Sequence, residues 1–324
     1  MSKCPACLRP TLAQAGAQLD LRGVLRRWEE TIGTPFSKQL WQDYEAACGR
    51  PILQLRCNTC GFGCFDPPVV GSGAFYEAIG NHEYYVPEKW EFRQAIADLR
   101  RAHPRHVLDV GCGYGHFLRL LRDQEPSIAS AGQEVYAAPL EALRREGFET
   151  ILGDAADLAG KTNHIEPFDA LTMFQVLEHV ANPWMIIAAC SALLKPGGTF
   201  IVSTPDAGGP ITNFPNALTE IPPHHVTQWT EAAYRACLPR YGFEIIRVRR
   251  EPLPQYLWDA YLPALWDKGI WPAKLLGPFI DGTQTNGEAE LTGAMRILKQ
   301  TGITHLREVP GHTIYILARR SDDR

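Results

Sequence analysis

Apolar segments of two kinds alternate along the middle and the end of the chain. Short aliphatic and aromatic runs predict strands at 107–110, 128–135, 150–152, 168–174, 199–203, 241–248 and 312–319. Among the first five of them, apolar residues recur at helical spacing over 117–121, 140–146 and 183–194. Alternating strands and helices form parallel sheets that are covered by helices on both faces. The pattern therefore predicts an α/β, Rossmann-like, doubly wound sheet of seven strands.

A glycine-rich turn follows the first of these strands, in the segment D-V-G-C-G-Y-G-H over 109–116. Glycine allows positive φ and a close approach of a ligand to the backbone, beside the free N–H groups of a helix N-terminus. His116 stands where the dinucleotide fingerprint needs a small residue, which disfavours a pyrophosphate. The acid at position 109 suits an ammonium group. The candidate cofactor-binding residues of this turn are Asp109, Gly111, Cys112, Gly113 and Gly115.

Polar residues also stand at the ends of the next three predicted strands. Glu134 ends the second strand, where an acid can accept both hydroxyls of a ribose. Asp154 and Ala155 follow the third strand, and their side chain and N–H can meet the edge of an adenine. Gln175 follows the fourth. Because ligands of such sheets bind at the carboxyl ends of the strands, all these positions predict one nucleoside site.

Composition narrows the function without naming it. The chain has 324 residues, 45% of them hydrophobic and 21% charged, which indicates a globular protein with a sizeable core. A net charge of -4 gives no general attraction to nucleic acid or to anionic membranes. No run of 18 apolar residues and no apolar leader occurs. We therefore expect a cytoplasmic protein without a membrane or nucleic-acid partner; its oligomeric state is not encoded.

Two C-x2-C pairs predict a metal site near the start of the chain. Cys4 and Cys7 form one pair, and Cys57 and Cys60 form the other after a 49-residue insert. Two such pairs can complete a closed tetrahedral site for a structural Zn²⁺. A thioredoxin-like redox motif is the alternative, although neither pair begins a helix of a βαβ unit. Two further cysteines, Cys48 and Cys64, can substitute as ligands.

The sequence predicts four parts of the chain: a zinc-ribbon-like lobe over 1–70, a core over 71–251, a helical insertion over 252–309, and a last strand with a tail over 310–324. Tyr85 precedes Pro87, lies outside a helix, and is a candidate to cover the cofactor. The insertion is rich in aromatic residues. These can form a small core of their own or a lid over the acceptor, and the sequence does not decide between the two.

Four motifs in order carry a resemblance to a known family. They are V-L-D-V-G-C-G-Y-G over 107–115, G-D-A over 153–155, F-Q-V-L-E-H-V over 174–180 and L-L-K-P-G-G-T-F over 193–200. Residues 85–250 closely resemble class I S-adenosylmethionine-dependent methyltransferases, particularly the ubiquinone-biosynthesis-type O-methyltransferases. The resemblance implies that the glycines border the methionine part, Glu134 takes the ribose, Asp154 and Ala155 take the adenine, and Gln175 lies beside the sulfonium. It also implies an antiparallel last strand between strands five and six.

The two C-x2-C pairs also look like the zinc-binding lobe that precedes some sugar and natural-product methyltransferases.

The segment P-P-H-H-V-T over 222–227 supplies candidate catalytic residues. A similar segment lies over the acceptor pocket in the resembling branch. Methyl transfer needs an aligned nucleophile and can use a base, and histidine titrates in the useful range. His224 and His225 are therefore the candidate bases, with loop packing as the alternative. Glu178 and His179 are expected to be structural or to orient the site, and a metal there is conceivable without being required.

The leading hypothesis is transfer of a methyl group from S-adenosylmethionine to the oxygen or carbon of a small-molecule or glycan-precursor acceptor. One alternative is an RNA or protein methyltransferase that docks through the zinc ribbon. The other is a scaffold that binds the cofactor without chemistry.

Overall fold

Two sheets organise the molecule, whose computed structural model describes residues 2–80, 89–158, 166–214, 216–267 and 295–322. The strands are β1 (Leu12–Gln14), β2 (Leu53–Cys57), β3 (Gly63–Asp66), β4 (His106–Val110), β5 (Ala129–Glu134), β6 (Glu149–Leu152), β7 (Phe168–Phe174), β8 (Leu194–Pro205), β9 (Thr227–Gln228), β10 (Phe243–Pro254) and β11 (His305–Arg320). The large sheet has seven strands in the order β10-β11-β8-β7-β4-β5-β6, and the small sheet has the order β1-β2-β3-β9.

The large sheet is parallel at its centre and antiparallel at one side. Strands β4, β5, β6, β7 and β8 pair in parallel. Strand β11 pairs antiparallel with both β8 and β10. Four of the five residues of β4 are buried, as are six of the seven of β7, because helices cover both faces. The predicted doubly wound fold and the position of its last strand are confirmed.

Helices connect the strands and supply the outer layers. They are α1 (Leu21–Ile32), α2 (Lys38–Cys48), α3 (Gly73–Gly80), α4 (Trp90–Ala102), α5 (His116–Gln124), α6 (Ala137–Arg145), α7 (Ala155–Leu158), α8 (Pro183–Leu193), α9 (Glu231–Cys237) and α10 (Trp258–Asp267). Local signals set several of these ends. Asp20 and Ser37 cap α1 and α2 with their side chains, and Thr230 caps α9.

Three strands are longer than the sequence pattern indicates. Strand β8 begins at Leu194 rather than at 199, although it contains Gly197 and Gly198. Strands β10 and β11 continue to Pro254 and back to His305, beyond the apolar runs that predict them. Their added parts pair with each other, and this pairing includes Leu253 with Leu306. Non-local pairing thus extends strands whose local sequence does not show alternation.

The small sheet joins the N-terminal residues to the rest of the chain. Cys64 of β3 pairs with Thr227 of β9, which follows the large sheet's β8 by more than 20 residues. Arg240, after α9, donates hydrogen bonds to the carbonyl oxygens of Pro5 and Ala6, both at 2.8 Å. The N-terminal part therefore packs on the core through strand pairing, and the limits of the lobe, core and insertion remain predictions.

The described part of the insertion has a small core of its own. Its buried residues are Leu253, Trp258, Tyr261, Leu262, Leu265, Met295, Leu298, Leu306 and Val309. Phe214 packs on the ring of Tyr261, with centroids 5.0 Å apart. Trp271, Phe279 and the segment 282–287 of the insertion lie outside the described residues. Among the helices that the structure describes, none combines the length and the apolar character that membrane crossing requires.

Candidate functional site

The glycine turn connects β4 to α5 with all three glycines at positive φ: +69° at Gly111, +50° at Gly113 and +76° at Gly115. A Cβ on Gly115 would lie 2.3 Å from Cδ2 of Leu143, and a Cβ on Gly111 would lie 2.5 Å from Cγ2 of Val176. The turn therefore needs glycine for its backbone conformation and for packing against its neighbours.

Two consecutive side chains at the end of β5 hold the turn in place. Gln133 accepts a hydrogen bond from the Gly111 N–H at 3.1 Å and donates to the Gly153 carbonyl at 2.5 Å. Glu134 accepts from the Gly113 N–H at 3.0 Å and from the Val135 N–H at 2.7 Å. Sequence reasoning found Glu134 but missed Gln133, which is 2% exposed. Its only sequence signal is its place beside Glu134.

Asp109 lies in the sheet beneath the turn rather than on its surface. It is 3% exposed, and its carboxylate accepts a hydrogen bond from the Thr172 hydroxyl at 2.7 Å. Burial raises the pKa of Asp109 to about 7, and the nearby Glu134 adds to the rise against the Thr172 hydrogen bond. Cys112 is also buried, and a Cβ on the neighbouring Gly132 would lie 2.7 Å from its sulfur.

The remaining candidate cofactor residues stand at the ends of β6 and β7. Asp154 accepts a hydrogen bond from the Ala156 N–H at 2.9 Å, and Ala155 begins α7. Gln175 has a φ of +56° and donates to Glu91 at 3.2 Å. A non-glycine residue in this conformation is uncommon and is often found at functional sites. Tyr85 lies outside the described residues.

These positions suit a nucleoside amino acid. The strand ends bring the glycine turn, the Glu134 carboxylate and the Gly153–Asp154 turn together through shared hydrogen bonds. Carboxylate and amide oxygens accept hydroxyl and amino hydrogens, and the turn's backbone can approach a ligand closely. The donor and acceptor set therefore fits S-adenosylmethionine.

A cavity of about 250 Å³ is lined by residues of both sheets. Its walls include Gln54 and Arg56 of β2, Gln228 of β9, Pro205 at the end of β8, and the ring of Phe214. The ionisable side chains in its lining are Arg56, Glu178, Glu220 and His225. Thus the N-terminal sheet supplies one wall, and the segment after β8 supplies another.

Three histidines meet beside this cavity. One ring nitrogen from each of His179, His224 and His225 lies within 4.8 Å of the others. His224 donates through Nδ1 to the Thr219 carbonyl at 2.9 Å and packs against the aromatic ring of Trp28. Of the two candidate bases, His225 lines the cavity. Burial lowers the pKa of all three imidazoles, to about 3 for His224, so the cluster is neutral near pH 7.

A chain of buried polar groups leads from His225 to the insertion. Nδ1 of His225 lies 3.4 Å from Oε2 of Glu220, and Oε1 of Glu220 lies 3.8 Å from Nε2 of His312. Nδ1 of His312 lies 3.1 Å from the Tyr261 hydroxyl. Sequence reasoning missed Glu220, the direct partner of His225 five residues before it. It also missed His312, because this residue comes from β11, far along the chain.

Glu178 is the most isolated acid of the site. It is 1% exposed, and neither carboxyl oxygen accepts a hydrogen bond within the described part of the chain. Burial raises its pKa well above the usual range, which favours the uncharged form. Glu178, which was expected to be structural or to orient the site, is part of the cavity lining.

The four predicted zinc ligands form one cluster. The Cys4 and Cys60 sulfurs lie 3.7 Å apart, and those of Cys7 and Cys57 lie 3.6 Å apart. A tetrahedral Zn²⁺ with bonds of about 2.3 Å requires sulfurs about 3.8 Å apart. The geometry fits zinc and is too long for disulfides. The cluster does not include Cys48 or Cys64.

Hydrogen bonds around Cys57 favour its thiolate. Burial opposes ionisation, but the Thr11 hydroxyl and the N–H groups of Cys60 and Thr59 outweigh it and lower the pKa of Cys57 to about 6. Burial raises the pKa of Cys4 to about 11 and that of Cys60 further. N–H groups that donate to a knuckle sulfur are the surroundings expected of a metal-binding thiolate.

A doubly wound sheet with a nucleoside-type site at its carboxyl edge defines the class of this protein. The model of a methyltransferase domain family matches residues 83–248. The chain therefore belongs to the class I S-adenosylmethionine-dependent methyltransferase family, as the sequence motifs predict.

Two curated relatives show what the chain is similar to. A probable S-adenosylmethionine-dependent methyltransferase of Mycolicibacterium smegmatis is 28% identical over 159 residues, which cover 48% of this chain and 60% of the relative. A ubiquinone biosynthesis O-methyltransferase of Citrobacter koseri is 26% identical over 165 residues, which cover 44% of this chain and 66% of the relative. The match therefore spans less than two thirds of either relative. Among solved structures, a SAM-dependent methyltransferase from Archaeoglobus fulgidus covers 71% of this chain and 94% of its own, at a TM-score of 0.46 and 18% identity.

Proposed function

We propose that this protein transfers a methyl group from S-adenosylmethionine to a small-molecule or glycan-precursor acceptor, at oxygen or carbon. One observation carries the proposal: His225 and Glu178 line a single cavity that also includes Pro205, at the carboxyl end of β8. The name of the relative from Citrobacter koseri, a ubiquinone biosynthesis O-methyltransferase, agrees with a small acceptor.

The cofactor, when bound, supplies a methyl group on a positively charged sulfur that a nucleophile can attack. The chain's task is to hold the two reactants in line and to remove the acceptor's proton. His225 is the proposed base because it is neutral, lines the cavity and has Glu220 3.4 Å from its other side. A carboxyl group in that place fixes the imidazole and stabilises the imidazolium that forms. Glu178 is proposed to hold the acceptor by donating a hydrogen bond.

We also propose that the cysteine cluster holds a structural Zn²⁺. Four cysteines complete a tetrahedral site and leave no position for a substrate. The role of the metal is then to hold β2 and the turn at Cys4–Cys7 together.

Calorimetry with S-adenosylhomocysteine tests the cofactor site. Glu134→Ala should weaken binding by about tenfold to a hundredfold, because it removes a carboxylate whose hydrogen bonds contribute about 1.5–3 kcal/mol. Glu149→Ala is the matched control, since this glutamate is 59% exposed and lies at the start of β6. Equal affinity in the wild type and Glu134→Ala would refute the ribose assignment.

The same samples then test transfer, once a metabolite screen identifies an acceptor. His225→Gln should lose methyl transfer but keep its affinity for S-adenosylhomocysteine. Transfer at the wild-type rate would refute the base assignment. A wild type that binds S-adenosylhomocysteine and methylates only RNA or protein, or nothing, would replace the proposal by one of its two alternatives.

A further inference from the structure

Arg56 places a positively charged guanidinium group on the wall of the cavity. It lies on β2, is half-buried, and lines the same cavity as His225. Its guanidinium donates to the Ala207 carbonyl and to Oε1 of Gln228, both at 3.2 Å. In the part of the chain that the structure describes, no carboxylate pairs with it. These two hydrogen bonds use two of its five N–H donors, and the other three donate to no group in the described part of the chain.

The two acids of the cavity do not neutralise Arg56. Burial raises the pKa of Glu178 and of Glu220, so the acids carry less negative charge than exposed glutamates would. The cysteine cluster lies on the other side of β2, because successive residues of a strand point to opposite faces and Cys57 follows Arg56. Arg56 therefore adds a positive charge to its side of the cavity wall.

The neighbours of Arg56 suit an anion as well. Gln54 also lines the cavity; its amide nitrogen donates to Oε1 of Gln228 at 3.5 Å and carries a second N–H. Gln228 orients the guanidinium from one side. A planar guanidinium binds carboxylates and phosphates through two parallel hydrogen bonds. A half-buried charge on a cavity wall is stabilised when such a group pairs with it.

We propose that the acceptor carries an anionic group, a phosphate or a carboxylate, that Arg56 binds at one end of the cavity while the methylated atom lies at the His225 end. The inference rests on the proposed function only in taking this cavity as the acceptor site. It narrows the acceptor from any small molecule to an acidic one.

Calorimetric titrations at constant ionic strength test the anion site, with inorganic phosphate and malonate as separate probes and with and without S-adenosylhomocysteine. Arg56→Gln should weaken binding of the preferred anion at least tenfold, because hydrogen bonds to a charged group are lost. Arg26→Gln is the control: this arginine is an exposed residue of α1, so binding should not change.

A second variant covers the case in which Arg56→Gln does not fold. Gln228→Glu places a carboxylate next to the guanidinium and loses one hydrogen bond to the Glu220 carbonyl. The new internal ion pair should abolish anion binding while thermal melting shows a folded protein. Preference for phosphate or for malonate identifies the group.

Equal binding in the wild type and Arg56→Gln, or no binding of either anion by the folded wild type, would overturn the proposal. If the wild type does not bind S-adenosylhomocysteine, the proposed function is refuted instead. The anion site is still tested in that case, because the anion titrations do not require the cofactor.

Discussion

Substituting Gly115 by alanine tests whether the glycine turn is defined by packing as well as by backbone conformation. At a φ of +76° an L-residue costs about 1–2 kcal/mol. The new Cβ would also lie 2.3 Å from Cδ2 and 3.0 Å from Cδ1 of Leu143. Overpacking of this kind costs about 1–3 kcal/mol, since the side chain of α6 must move. The expected loss in free energy of unfolding is therefore about 2–5 kcal/mol.

A second glycine separates the two contributions. Gly147 has a φ of +86°, and a Cβ there meets nothing within 4 Å. Gly147→Ala should therefore lose only the backbone part, about 1–2 kcal/mol. Urea unfolding of both variants measures the difference, which we expect to be about 1–3 kcal/mol. Equal losses in the two variants would show that Leu143 moves without cost and that packing does not define the turn.

Two further predictions concern the metal and the buried acid. Cys57→Ser should reduce the zinc content from about one ion per chain to none and lower the melting temperature, whereas Cys64→Ser should keep the metal; a folded, metal-free wild type would refute the site. Asp109→Asn should remove a pH dependence. The native state keeps the Asp109 proton up to a pKa of about 7 whereas the ordinary value is 3.8, so wild-type stability relative to the variant should fall as pH rises from about 4 to about 7. Parallel pH profiles of the two proteins would contradict this assignment.

The sequence was most informative where chemistry and local structure share a short segment. The strand at Phe168–Phe174 was predicted to the residue, because a buried parallel strand is rich in apolar residues and five of its seven are apolar. The glycine turn and Glu134 were found because strand, turn and helix start follow one another in a short segment of the sequence. The four cysteines were found from their spacing, although 49 residues separate the pairs.

What the sequence could not show depends on segments that meet only in the folded chain. In the sequence Gln133 is an ordinary polar residue. Only the folded chain brings Gly111 and Gly153 within hydrogen-bonding distance of its amide group. Glu220 and His312 are 92 positions apart and come together only because β11 inserts beside β8. The short β9 has no pattern of its own, since two residues carry no periodicity, and it forms because β3 provides an edge. Long-range pairing, rather than local preference, decides these positions.

The same pairing connects the cysteine cluster to the cavity that we propose for the acceptor. Cys57 ends β2, and the strand's preceding residues Gln54 and Arg56 form the cavity wall. On the far side, the Thr230 hydroxyl donates to the Cys60 carbonyl at 2.6 Å and also caps α9. A metal bound here would fix the strand that presents the arginine. The glycine turn connects β4 to α5 and shares no hydrogen bond with β2 among the described residues. Loss of zinc should therefore impair anion binding well before it impairs cofactor binding.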